Sequence, residues 1–383
     1  MRRGSESRHR LSRGGKRLAA VAAALLTAQI PAAADGAVAA RVMGRQAAAR
    51  AIGPAQPRAV EKFGLGQNVG TVAVRRAWMI MGTALEITVY RPPAEHEVAV
   101  VDLRAGYAAV QEVDRRMSLY RDDSELVLLN SRAGEGFVPV SPGLYQVLAA
   151  AVHYQRASGG AFDATVTPLV QLWGFYRQQG QSVPPPFAIE AELRKVGAGR
   201  IELQPGHQMV ALAPETRVDL GAIAKGYAVD RVVDTLAARG VPAALVNLGG
   251  NIGVFGSPPG GDAWSVGVRH PRPGTALLGN LEIPAGWAVA TSGDYERFFE
   301  ADGRRYSHLL DPRTGWPVQE IMAVTVVAPD GMTADALSTA AFVLGRQEGL
   351  ALLESCIDVE GLVVVRAEAV DGGARRPATR TEP

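Results

Sequence analysis

The sequence predicts an α+β body, a mixed α/β arrangement rather than a doubly wound parallel sheet. Strand-like alternation recurs along the chain, helical spacing of apolar residues is confined to a few segments, and clean strand–helix–strand crossovers are outnumbered by strands. Composition fits a globular chain: 383 residues, 47% apolar and 20% charged, enough for one large body with insertions or for two to three domains. The 40 Lys and Arg against 38 Asp and Glu leave a net charge of +2, which gives no reason to expect a nucleic-acid partner. Cys356 is the single cysteine, so an intramolecular disulfide and a Cys-rich metal site are both excluded. Its setting, GLALLESCIDVEGLVVV, reads as packing.

The chain opens with the basic stretch MRRGSESRHRLSRGGKR, then an apolar run from Leu18 to Ile30, then small residues at Ala32 and Ala34. That is the layout of a secretory signal peptide over residues 1–34. The run of about 13 residues is shorter than the roughly 20 a membrane-spanning helix needs, and no later segment reaches that length. No cysteine follows the run to carry a lipid, so the expectation is a soluble exported protein in the periplasm. Residues 35–70 read as a weakly ordered lead-in, 71–365 as the folded domain and 366–383 as a frayed tail.

Within the domain, RRAWMIMGTALEITVY (75–90) alternates as a strand with a break at Gly82, and RPPAEHE is a turn. Leu103, Tyr107, Val110, Val113 and Met117 fall at helical spacing between Val101 and Tyr120. Ser141 opens a second helix to about Gln155, stopped by Ser158-Gly159-Gly160, and FDATVTPLVQLWGF is a loop leading into a short helix. The Pro-rich stretch 180–217 holds a short helix from Ile189 to Val196 and a hairpin from Arg200 to Leu212. A helix from about Gly221 to Arg239 precedes a strand and glycine turn in PAALVNLGGNIGVFG. WSVGVRH and GWAVATSG are strands joined by a Pro/Gly loop, and IMAVTVVAPD is another strand. TADALSTAAFVLG is a helix with Thr333 as N-cap and Gly345 as its stop.

Three groups have the chemistry of a site. Asp335 and Thr339, four apart on one helix, share a face and supply hard oxygen ligands suited to Mg²⁺, though two are too few without backbone oxygens, water or phosphate. The same pair also reads as a helix-end carboxylate and a hydroxyl bonded back to its own helix. Asp219 and Lys225 flank a glycine-rich helix start, where a lysine reaches a bound anion, and Gly226 permits close approach. A solvated, snorkelling Lys225 is the competing reading. GxxxxGK[ST] is absent, as is GxGxxG after a strand. His308, in RRYSHLLDPRTGWPV, is the residue type best matched to proton transfer near neutral pH, or a structural residue beside a turn. No HExxH or GxSxG is present to support a zinc hydrolase or a serine esterase.

Read in order, MGTALEITVY, MSLYRDDSELVLLN, GGAFDATVTPLVQLWGF, VDLGAIAKGYAVD with VNLGGNIGVFG, ATSGDYERFF with SHLLDPRTGWPV, and TADALSTAAFVLG resemble the FAD:protein FMN transferase, or ApbE-like, family from about Met81 to Gly345. ELVLLN stands where an ELSRLN-like ending is usual, and RTGWPV where many members have TGYP, with size and turn character kept. The resemblance implies an ApbE-like, T-fold-related body with the flavin site in a cleft between subdomains. It implies transfer of FMN from FAD, with Mg²⁺, to a threonine or serine hydroxyl of an acceptor protein, releasing AMP. Met81, Tyr120, Ala161, Phe162, Asp163, Asp219, Lys225 and Leu309 then correspond to FAD contacts, and Asp335, Thr339 and the backbone oxygen of Ala222 to metal ligands. His308 corresponds to the catalytic histidine. Exported relatives of this type imply an acceptor flavoprotein subunit of a membrane redox complex, of the Na⁺-translocating quinone reductase, Rnf or nitrous-oxide reduction kind. Alternatives are a Mg²⁺-dependent FAD pyrophosphatase giving FMN and AMP, and a non-catalytic periplasmic flavin carrier, for which His308, Asp335 and Thr339 would have no use.

Overall fold

Alternation of polar and apolar residues on both sides of Gly82 produces a hairpin instead of one interrupted strand. Strands β2 (Val72–Ile80) and β3 (Thr83–Arg91) pair antiparallel and are joined by Met81 and Gly82, whose φ values of 51° and 71° match the left-handed turn that a two-residue hairpin requires. The computed structural model describes residues 38–42, 70–176, 181–261, 263–272 and 277–366. The expected signal peptide, nearly all of the lead-in and nearly all of the C-terminal tail lie outside them.

The hairpin is one edge of an eight-stranded sheet. Its order is β1 (Val38–Val42), β15 (Glu360–Arg366), β14 (Ile321–Ala328), β11 (Ala288–Gly293), β8 (Asn251–Phe255), β7 (Ala243–Leu248), β3 and β2. Every neighbouring pair is antiparallel, which confirms the α+β class.

Helices α1 (His96–Met117), α6 (Ala224–Ala238) and α7 (Gly331–Ser355) cover one face. Leu85, Ile87 and Val89 of β3 meet Leu103 and Val110 of α1 and Val232 and Leu236 of α6 in the principal core. The ribbon β9 (Trp264–Arg269) with β10 (Leu277–Ile283) lies on the other face, where Trp264, Val266 and Ile283 pack on Val289, Met322 and Val364. Strand β14 is therefore buried at every residue, as a strand covered on both faces must be. The segment expected as a Pro/Gly loop between β9 and β11 contains β10, which forms because β9 supplies its hydrogen-bonding edge.

A smaller cluster joins α4 (Thr167–Leu172), α5 (Pro186–Leu193), β12 (Phe298–Ala301) and β13 (Arg304–Ser307) around Trp173, Phe175, Ile189, Tyr306 and Leu310. The indole N–H of Trp173 donates to the Gly315 carbonyl at 2.9 Å, which fixes the DPRTG turn to this cluster. The remaining elements, α2 (Glu125–Ser131), α3 (Pro142–Ala157) and a sheet of β4 (Phe137–Pro139), β6 (Met209–Leu212) and β5 (Ile201–Gln204), pack on the principal core.

Cap chemistry sets the helix starts. Ser124 and Ser141 accept the N–H groups of Val127 and Leu144. For α7 the N-cap is Asp330 rather than Thr333: its carboxylate accepts the Thr333 N–H at 2.8 Å and the Thr333 hydroxyl at 2.9 Å. An ionised acceptor outbids a hydroxyl at the positive end of a helix. Gly345, at φ 80° and ψ −172°, does interrupt α7, but helical structure resumes and runs to Ser355. Helix α1 starts earlier than the spacing predicts, at His96, because the turn at 93–95 leads directly into it.

Candidate active site

Two helix starts meet at the centre of the site. Gly226, in the first turn of α6, abuts Gly331 at the start of α7 so closely that a Cβ on Gly226 would lie 2.1 Å from the Gly331 carbonyl oxygen. Asp230, one turn further along α6, accepts the N–H groups of Gly331 and Met332 at 2.7 and 3.0 Å, capping α7 from a neighbouring helix. This contact puts Asp335 against the first turn of α6, where its Oδ2 accepts the Gly226 N–H at 3.0 Å. Lys225 Nζ donates to the Gly221 carbonyl at 2.6 Å and lies 3.7 Å from Asp335 Oδ1. Burial pushes the Asp335 carboxyl up, and Lys225 and the Gly226 N–H pull it back.

Asp219 precedes the turn that enters α6. Its Oδ1 accepts the Gly221 N–H at 2.7 Å and its Oδ2 the Tyr176 hydroxyl at 2.5 Å, while its own N–H donates to the Ala164 carbonyl at 2.7 Å. Burial and the Asp219 charge push the Tyr176 hydroxyl well above the ordinary tyrosine range, so it stays a donor.

His308 lies where the small cluster meets the principal core, between Tyr306 of the first and Leu309 of the second. Its backbone N–H donates to the Arg297 carbonyl at 3.0 Å, and Nδ1 is 3.2 Å from the same oxygen. A carbonyl only accepts, so Nδ1 carries the proton and Nε2 keeps its lone pair. Burial, then the Arg297 charge, then Lys225 push the imidazole down to about 4, against the lifting effect of its bond to the Arg297 carbonyl. His308 is thus a neutral base held in one tautomer.

The other expected contacts divide into two groups. Met81 is at the hairpin tip, in a left-handed conformation unusual for a residue with a side chain; such strain is commonly kept at functional positions. A Cβ on neighbouring Gly82 would lie 3.7 Å from the Arg297 guanidinium, and Tyr120, exposed, accepts from Arg297 Nη1 at 3.3 Å. Met81, Tyr120, Asp219, Lys225 and His308 are thereby linked through Tyr176, whose ring contacts Tyr120, and through Arg297.

Ala161, Phe162 and Asp163 belong to the loop after α3, and all three are buried. Asp163 is engaged by that loop and by α3: Oδ1 accepts the Thr165 N–H and hydroxyl at 2.8 and 2.6 Å, and Oδ2 accepts Gln155 Nε2 of α3 at 2.5 Å. Leu309 is buried in the principal core, beside His308 in the chain.

The donor set suits a hard divalent cation. Asp335 is a buried carboxylate with Lys225 3.7 Å away, and Thr339 follows one helical turn later with its hydroxyl 3.2 Å from Ser292 Oγ. Ala222 lies in the turn that opens α6. Among the described residues no group of three or more His, Cys, Asp or Glu side chains is placed to hold a metal, so a cation here would draw on hydroxyl and backbone oxygens besides Asp335.

Tyr176, Arg297 and Ser292 escape a sequence reading based on residue type, because Tyr and Ser are common and Arg297 sits in an alternating strand-like run. All three lie inside or directly beside blocks that carry the family resemblance, which is the signal that marks them.

The model of the ApbE family matches residues 81–363. The chain is 36% identical over 334 residues to a FAD:protein FMN transferase of Treponema pallidum (strain Nichols), covering 81% of this chain and 90% of that protein. A crystal structure of the ApbE protein from Thermotoga maritima superposes with a TM-score of 0.71 at 30% identity, covering 78% of this chain and 97% of that one. The flavin transferase ApbE from Vibrio cholerae superposes with a TM-score of 0.69 at 32% identity, covering 77% and 94% respectively. With a matching family model across most of the folded domain and the same fold in solved relatives, the chain belongs to the ApbE family.

Proposed function

We propose that this chain is an FAD:protein FMN transferase that moves the FMN moiety of FAD onto a threonine or serine hydroxyl of an acceptor protein. FAD is the substrate, and the flavin ring is cargo that is neither oxidised nor reduced. The hydroxyl oxygen attacks the FMN phosphorus and forms the phosphoester bond. The P–O bond to the AMP phosphate breaks, its electron pair leaves with AMP, and the hydroxyl proton passes to His308 Nε2. The observation that carries this reading is the tie of His308 Nδ1 to the Arg297 carbonyl, which leaves Nε2 as a base beside the Lys225 charge.

Asp335, Thr339 and the Ala222 carbonyl oxygen would hold Mg²⁺, which when bound offsets charge on the diphosphate oxygens. Lys225 adds a fixed positive charge at the same place. Met81, Tyr120, Ala161, Phe162, Asp219 and Leu309 line the FAD cleft on this reading, and Asp163 shapes the loop that presents Ala161 and Phe162.

The acceptor is a flavin-bearing subunit of a membrane redox complex, of the quinone reductase, Rnf or nitrous-oxide reduction kind, and the protein works in the periplasm. The basic-then-apolar opening of the chain supports export. Among the described residues no helix is long and apolar enough to cross a membrane.

Mass spectrometry of a threonine-containing acceptor domain, after incubation with the protein, FAD and Mg²⁺, tests the proposal. A gain of one FMN on the acceptor, with AMP released, is the expected result. Free FMN and AMP with an unmodified acceptor would replace the transferase with a pyrophosphatase; bound FAD without turnover would replace it with a carrier.

A further inference from the structure

The geometry points to Arg297 as the residue that grips the diphosphate of the dinucleotide substrate, an inference that rests on the transferase reading above. Other arginines of this part of the chain are neutralised: Arg272 is bound by both oxygens of Asp294 at 2.6 and 2.8 Å, Arg305 by Glu300 at 3.0 Å, and Arg313 by Asp311 at 2.9 Å. Arg297 differs. Among the described residues it has no carboxylate within ion-pair distance, and its one side-chain partner is the neutral Tyr120 hydroxyl at 3.3 Å. A guanidinium has five N–H donors in a planar fork, so most of its donors are left for a ligand.

Position supplies the rest. The guanidinium lies between Tyr120 and the hairpin tip at Gly82, while the carbonyl of the same residue fixes His308 through both its backbone N–H and Nδ1. The base acts on the oxygen that attacks phosphorus, so a cationic fork on the residue that holds the base stands beside the phosphoryl group. It is also held in advance. Asp294, three residues earlier, is buried, donates its N–H to the Met322 carbonyl of β14 at 3.0 Å, and is clamped by Arg272. The start of the turn that carries Arg297 is therefore pinned to β14 and to Arg272 before substrate arrives. Charge-assisted, two-pronged bonds from such a fork to phosphate oxygens strengthen as negative charge gathers on the diphosphate during bond breaking.

The test compares the full chain with Arg297→Met and Arg297→Lys, measuring affinity for FAD, ADP and riboflavin and the rate of acceptor flavinylation. Arg297→Met is expected to weaken ADP and FAD binding by about tenfold or more, leave riboflavin binding unchanged and slow transfer by about 10²-fold. Arg297→Lys recovers part of the ADP affinity, because it restores charge without the fork. The backbone carbonyl that holds His308 is the same in every variant. Unchanged ADP affinity with a raised KM for the acceptor would overturn the assignment and give the guanidinium to the acceptor protein. Equal loss of ADP and riboflavin affinity would also overturn it, making Arg297 a structural residue. A parent protein that binds ADP but neither binds FAD nor flavinylates the acceptor would sink the transferase reading and this inference with it, and that control is read before any variant.

Discussion

Oδ2 of Asp335 accepts the backbone N–H of Gly226 at 3.0 Å, so the carboxylate proposed to hold the metal is positioned by the first turn of a different helix. The contact exists because each helix has a glycine in its first turn where they cross. Gly226 and Gly331 have no side chain to hold them apart, and Asp230 closes the junction by capping α7.

Gly226→Ala should therefore damage fold and site together. Its Cβ would meet the Gly331 carbonyl oxygen at 2.1 Å and Asp335 Cβ at 2.8 Å, neither of which belongs to a flexible side-chain end. A loss of about 2 kcal/mol or more in chemical denaturation is expected, together with weakened divalent-cation dependence of any residual activity. A variant as stable as the parent would show that the crossing is looser than the geometry requires.

Asp335→Asn keeps shape and the approach to Gly226 while removing the negative charge. Transfer is expected to fall by about 10²-fold or more and to lose its response to added Mg²⁺. Full activity of the parent in EDTA would end the metal assignment.

His308→Ala removes the base without disturbing the Arg297 carbonyl. FAD binding is expected to persist, measured by quenching of flavin fluorescence, while acceptor flavinylation drops by about 10² to 10⁴-fold. Loss of both in equal measure would mean that His308 builds the pocket instead.

The acid limb of stability has a definite sign. With its folded imidazole held down to about 4, against about 6.5 in an unfolded chain, His308 binds no proton in the folded state at a pH where the unfolded chain already does. Stability is unaffected by this group above about pH 6.5 and falls as pH drops from there toward 4. Urea melts at pH 7 and pH 5 should show a smaller difference for His308→Gln than for the parent.

Tyr176→Phe removes one donor from Asp219 and leaves the other, from Gly221, in place. A rise in the KM for FAD of about fivefold, with kcat little changed, is expected from the loss of one hydrogen bond to a charged group. A fall in kcat at constant KM would place Tyr176 in the chemical step.

Much of this was legible along the chain because it is set by local chemistry. Ser141 and the Ser158-Gly159-Gly160 stop bracket α3, Gly345 breaks α7, and the apolar spacing of Leu103, Val110 and Val113 marks the buried side of α1. The turn at Met81 and Gly82 was visible as a break, but that it reverses the chain depends on β2 finding β3 as its partner. The Asp330 cap on α7 was hidden behind Thr333, since either residue type suits the position and only the hydrogen-bond geometry separates them.

The sequence by itself determined the α+β class and the ApbE resemblance, and singled out His308, Asp335, Lys225 and Thr339 as candidates, because residue type, spacing and block order are properties of the chain. Tertiary structure alone decided that Tyr176 donates to Asp219, that Arg297 holds His308 and, among the described residues, stands without a carboxylate, and that Gly226 meets Gly331. These pairs lie 43, 11 and about 105 residues apart in the chain. Which of them meet depends on how an antiparallel sheet orders its strands and where the helices cross over it, and no local pattern encodes that order.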